Sequence, residues 1–258
     1  MNAILYAALG TGFTFLLTAL GAAAVFFVPA TAKIGGKRLC LGFAAGVMVA
    51  ATVWSLLIPA LEHAQGGMLH AVCGIALGAL VLMGLETAME RFRSAAYLPR
   101  ALHTLDTGTK LLFSAVTLHN IPEGIAVGLS FALAAQNGQP ALLLAACSLA
   151  LGIGLQNLPE GAALSLPLHG QGLSKRSAFA LGAGSAVVEP VFGVLSALAV
   201  TAAQPLLPYL LSFAAGAMLV VSVRELIPQA CCGDDRYVGT LSILTGFVLM
   251  MLLDVALG

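Results

Sequence analysis

The chain has 258 residues, of which 60% are hydrophobic and 9% charged, and its mean hydropathy is +1.01. No single water-soluble core can take up that much apolar side chain, so the bilayer must be its solvent. Eleven basic residues balance eleven acidic ones, and nothing in that balance suits a nucleic-acid partner.

Apolar runs bounded by Pro, Gly and charge predict an all-α membrane protein, a single polytopic domain over 1–258 with eight transmembrane helices. They fall at about 4–29, 39–61, 68–89, 110–135, 141–168, 177–203, 206–229 and 238–257. The first run lacks a basic n-region and is too long for a signal-peptide core, so Ala22 to Ala24 read as helix and not as a cleavage site. Basic residues then test the count, because they collect in cytoplasmic loops. Lys33, Lys37 and Arg38 follow span one; Arg91, Arg93, Arg100 and Lys110 follow span three; Lys175 and Arg176 follow span five; Arg224 and Arg236 flank the turn after span seven. These are all 11 Lys and Arg residues, and none lies in an even-numbered loop or at a terminus. The pattern predicts a multi-pass protein of the cell (inner) membrane with both termini on the non-cytoplasmic side.

Two pairs of segments repeat. Phe43-Ala-Ala-Gly-Val-Met48 leading to Leu57-Ile-Pro59 in span two is matched by Phe213-Ala-Ala-Gly-Ala-Met218 leading to Leu226-Ile-Pro228 in span seven. Asn120-Ile-Pro-Glu-Gly124 in span four is matched by Asn157-Leu-Pro-Glu-Gly161 in span five. The partners in each pair are an odd number of spans apart, so they cross the membrane in opposite directions. That is the signature of an inverted repeat, here in a 3+2+3 arrangement, and inverted repeats suit alternating access.

Spans four and five carry His119, Asn120, Glu123, Gln156, Asn157 and Glu160, and span six carries Glu189. Each ionised group at the bilayer centre costs about 2.5–3.5 kcal/mol, and no Lys or Arg is available at that depth to offset three carboxylates. A bound cation is the simplest compensation; protonation of the empty site is the alternative. His119 and Glu123 are four residues apart, as are Gln156 and Glu160, so each pair projects from one helix face. Pro122 and Pro159 lack an N–H, which frees the carbonyls of Leu118 and Leu155 beside these residues. Gly124, Gly128, Gly152 and Gly154 allow close helix approach. Imidazole, amide oxygen and carboxylate together suit Zn²⁺ and admit Cd²⁺, Fe²⁺ or Mn²⁺.

With these segments, Val188-Glu-Pro190 and the Phe-Ala-Ala-Gly-x-Met runs, nearly the whole chain resembles the ZIP (Zrt-/Irt-like) family of metal transporters, its bacterial members in particular. The resemblance implies eight helices, outside termini and two neighbouring metal positions. One would use Met48, His119, Glu123, Gln156 and Glu160; the other Asn120, Glu123, Asn157, Glu160 and Glu189. It also implies inward transport of the ion as substrate, with no catalytic cofactor, by an elevator-like motion of spans one, four, five and six against spans two, three, seven and eight. A homodimer is compatible with this reading. Many members have a second histidine where this chain has Gln156, and many carry a long His-rich loop after span three, where this chain offers only His103 with Glu90 and Asp106.

The rival readings are a metal-selective channel and a membrane-embedded metalloenzyme. The second is disfavoured because di-iron sites use Glu-x-x-His pairs and the zinc-protease motif His-Glu-x-x-His is absent. Five cysteines, Cys40, Cys73, Cys147, Cys231 and Cys232, show no zinc-ribbon spacing. Cys231 and Cys232 with Asp234 and Asp235 read as a polar turn. Glu62, His63 and His70 read as interfacial polarity on the outer face. Glu225 and Asp254 lie near the cytoplasmic and outer ends of their spans, while His169, Trp54 and the phenylalanines carry no signal beyond packing or anchoring.

Overall fold

The computed structural model describes residues 2–28, 34–63, 67–92, 105, 107–199, 206–232 and 236–257. Lys33, Arg93, Arg100, His103, Asp106, Asp234 and Asp235 lie outside the described residues, as do the side chains of Lys37, His63, Glu90, Arg91 and Arg236.

The described elements are helical. α1 (Ala3–Ala22) starts where the side chain of Asn2 accepts the Ile4 N–H at 3.1 Å, and a short helix, Ala24–Phe27, continues it. α2 runs through Ile34–Ala51, a π-helical stretch at Thr52–Leu57, and Ile58–His63. α3 is Met68–Phe92, α4 is Thr107–Asn137 and α5 is Pro140–Gly170. α6 comprises Lys175–Gly184, a 3₁₀ turn at Ser185–Val187, and Val188–Leu198. α7 comprises Leu207–Val221, a π-helical stretch at Ser222–Leu226, and Ile227–Cys231. α8 is Arg236–Leu257.

Among the described residues, six helices are long and apolar enough to cross a membrane, those of α1, α2, α5, α6, α7 and α8. Among the described residues α3 offers the apolar stretch Met68–Gly84. α4 is not among the six; its middle carries His119, Asn120 and Glu123.

Prolines account for three irregularities. Pro59 and Pro228 cannot donate to the carbonyl four residues back. Just before each, the ladder widens: the Ile58 N–H bonds to the Val53 carbonyl and the Ile227 N–H to the Ser222 carbonyl, both π-type bonds. The repeated Leu-Ile-Pro thus yields a repeated π stretch. Pro190 likewise withdraws its donor from the Ala186 carbonyl, and α6 tightens into its 3₁₀ turn at Ser185–Val187 before restarting with Glu189 in the first turn of Val188–Leu198.

Packing divides the helices into two sets. α1 lies along α5, α4 along α6, and α1 also meets α4 and α6; in the other set α8 lies along α2 and α7 along α3. The sets touch chiefly where α2 meets α5 and α7 meets α4. An apolar cleft of about 600 Å³ opens between them, lined by Leu20 and Gly21 of α1, Pro159 of α5, Phe43 of α2 and Thr245 of α8. Lys175 Nζ donates to the Phe26 carbonyl at 2.9 Å, tying the start of α6 to the end of α1.

Candidate metal centre

α4 and α5 pack against each other and are joined through Gly138, whose φ of 64° favours glycine. Both are 31 residues long, and at 1.5 Å per residue the expected ligands sit about 15–30 Å from either end. Met48, Asn120, Glu123, Gln156, Asn157 and Glu189 are wholly buried, and His119 and Glu160 are 1% and 2% exposed.

The glycine that closes each Pro-Glu-Gly segment decides which helix presses on it. A Cβ on Gly124 would overlap the backbone of Glu189, and one on Gly161 would overlap the Thr18 carbonyl and the Ala22 nitrogen. Gly124 therefore seats α6, with Glu189, against α4; Gly161 seats α1 against α5.

The buried polar residues form two clusters. In the first, the helices exchange partners: His119 Nε2 of α4 lies 3.1 Å from Glu160 Oε2 of α5 and 3.9 Å from Glu123 Oε1, while Gln156 Nε2 of α5 donates to Glu123 Oε1 of α4. In the second, Glu189 Oε1 accepts from Asn157 Nδ2 at 3.0 Å and Glu189 Oε2 accepts from the Thr14 hydroxyl of α1. Asn120 lies between the clusters. With Nδ2 donating to the Ser185 carbonyl at 3.3 Å, its oxygen faces Glu160 Oε1 at 3.1 Å and His119 Nε2 at 3.2 Å. Oxygen against oxygen is favourable only with a cation nearby; the reversed amide makes those contacts hydrogen bonds instead.

Within these clusters, four buried atoms have no hydrogen-bond partner: His119 Nδ1, Glu123 Oε2, Gln156 Oε1 and Asn157 Oδ1. A buried polar atom left unpaired costs about 1–3 kcal/mol, and three of these are oxygens that a cation would satisfy. Among the described residues no three His, Cys, Asp or Glu side chains converge as a ready-made metal-ligand set. Met48 is buried on α2, where its carbonyl accepts the Thr52 hydroxyl at 2.7 Å.

The other polar residues have local roles. His70 Nδ1 lies 3.2 Å from the Gly67 carbonyl and its ring packs at a tilt against Tyr209, 4.8 Å between centroids, while Glu62 is exposed. Asp254 of α8 accepts from Ser55 of α2 at 2.7 Å, and Glu225 accepts from Gln229 at 3.3 Å. His169 Nδ1 lies 2.7 Å from the Leu173 carbonyl at the end of α5. Trp54 packs edge-on against Phe247 at 5.8 Å. All five cysteines are free thiols.

Sequence reasoning missed Thr14. The available signal was the spacing of Thr11, Thr14 and Thr18, three buried hydroxyls on one face of an otherwise apolar helix.

A family model described as "ZIP Zinc transporter" matches residues 99–254. The chain is 38% identical to the zinc transporter GufA of Myxococcus xanthus, over 80% of this chain and 81% of that one. It is 35% identical to the zinc transporter ZIPB of Bordetella bronchiseptica, over 98% and 82% respectively. With the human zinc transporter ZIP11 the identity is 34%, over 100% of this chain and 98% of the relative.

Proposed function

The chain belongs to the ZIP zinc transporter family, a family of transporters and not of enzymes, and from that premise we propose that it moves Zn²⁺ into the cytoplasm through the buried centre between α4 and α5. One observation carries the site assignment: His119, Glu123, Glu160 and Glu189 are all buried, and among the described residues the ion pairs of these carboxylates are with His119 alone. A divalent ion is the natural counter-charge, with His119, Glu123, Gln156, Glu160 and the soft sulfur of Met48 at one position. Asn120, Asn157 and Glu189 join the two glutamates at a neighbouring one. Imidazole and carboxylate rank zinc first and leave Cd²⁺, Fe²⁺ and Mn²⁺ as weaker substrates.

The reading includes eight spans in a 3+2+3 inverted repeat with outside termini. Its support is the paired packing, in which α8 on α2 answers α3 on α7 and α1 on α5 answers α6 on α4, together with the matching π stretches before Pro59 and Pro228. The same division favours an elevator-like movement of α1, α4, α5 and α6 past α2, α3, α7 and α8. A homodimer would hold the second set still in the membrane.

Competitive uptake of Zn²⁺, Cd²⁺, Fe²⁺ and Mn²⁺ into proteoliposomes tests the reading. Saturable uptake with zinc preferred, lost in Glu123→Ala, is the expected result; uptake unchanged by that substitution would remove the site assignment.

A further inference from the structure

The second cluster depends on a helix that the sequence reading left out of the site. We propose that Thr14 of α1 is a positioning residue for the neighbouring metal position, holding Glu189 and Asn157 so that a carboxylate oxygen and an amide oxygen face the same ion. This rests on the site reading above.

Thr14, Asn157 and Glu189 come from three helices and close a ring. The Thr14 hydroxyl donates to Glu189 Oε2. Asn157 Nδ2 donates to Glu189 Oε1 at 3.0 Å and to the Thr14 carbonyl at 3.3 Å. An amide nitrogen has two hydrogens, and both are committed. Asn157 therefore cannot turn over without losing both bonds, and its oxygen points the other way, buried and without a partner. That oxygen is the one a cation would need.

The hydroxyl is used differently from that of Thr11. Thr11 donates to the Ala7 carbonyl at 2.7 Å, a bond within its own helix. Thr14 has the Thr11 carbonyl at 3.0 Å as well as Glu189, but its single proton goes preferentially to a carboxylate, since charge-assisted bonds are the stronger. Close backbone contact keeps the rung in reach: a Cβ on Gly193 of α6 would overlap the Thr11 side chain, and one on Gly161 of α5 the Thr18 carbonyl. Thr14 lies between these two contacts. Partners of this kind, bonded to a ligand and not to the metal, are typically worth about 10–100-fold in metal affinity.

Zinc titration of the purified full chain in detergent, counting bound equivalents, tests the proposal. Thr14→Val keeps shape but lacks the donor, and it should weaken the second equivalent by about 10–100-fold while leaving the first within roughly threefold. Thr14→Ser should restore the second, and Thr11→Val should retain it. Thr14→Ala carries the same expectation should Thr14→Val fail to give monodisperse protein. If Glu189→Gln loses the second equivalent while Thr14→Val keeps it, or if the Ser and Val variants lose it alike, Thr14 has no positioning role. If Glu189→Gln keeps both equivalents, the site reading itself falls and the role of Thr14 with it.

Discussion

α4 and α5 carry the same Asn-x-Pro-Glu-Gly segment, yet its surroundings differ. Gly124 admits α6 and so brings Glu189 beside Glu123; Gly161 admits α1 and brings a row of threonines. The positions before each segment differ too, with His119 on one side and Gln156 on the other, and each reaches across to the glutamate of the opposite helix. The shared residues build the frame, and the unshared ones set its chemistry. A carboxylate beside imidazole and a carboxylate beside an amide present different ligand softness to one ion.

The largest effect should come from removing the shared carboxylate. Glu160→Ala should reduce zinc uptake by about 100-fold or more, as should Glu123→Ala, because ligand loss exceeds the 10–100-fold of an outer partner. Uptake that survives one substitution and not the other would break the equivalence of the two helices. Next come the glycines. Gly124→Ala and Gly161→Ala force a Cβ into neighbouring backbone and should each cost about 1–3 kcal/mol, read as a lower thermal midpoint in detergent. Gly84→Ala, where a Cβ meets nothing within 4 Å, should hold or raise that midpoint by helix propensity.

The unshared positions should tune and not abolish. Gln156→His supplies a second imidazole and should raise the zinc-to-manganese uptake ratio by about tenfold, equivalent to ~1.4 kcal/mol of ligand preference. The smallest effect belongs to Met48→Leu. It conserves volume at a cost below about 1.5 kcal/mol, and it should lower Cd²⁺ uptake a few-fold relative to Zn²⁺ by removing a soft sulfur.

Much of this was legible in the sequence because it depends on patterns that local chemistry enforces. Long apolar runs marked the helices, and the cost of buried charge singled out Glu123, Glu160 and Glu189. Two features escaped for opposite reasons. Thr14 looks like any hydroxyl that bonds back to its own helix, and only the approach of α6, permitted by Gly124 and Gly193, turns it toward Glu189. The π stretches at Thr52–Leu57 and Ser222–Leu226 were implicit in the repeated Leu-Ile-Pro, but a proline says only that a bond is missing, and packing decides how the helix closes around the gap. The 3₁₀ turn before Pro190 is the same event resolved by tightening.

The central claim is that one zinc ion is held by both segments at once, and X-ray absorption at the zinc edge of the loaded protein tests it most directly. The predicted spectrum has nitrogen and oxygen neighbours at about 2.0–2.2 Å, with imidazole scattering that vanishes in His119→Ala and an oxygen contribution that falls in Glu160→Ala. Identical spectra in the wild type and both variants would contradict the account.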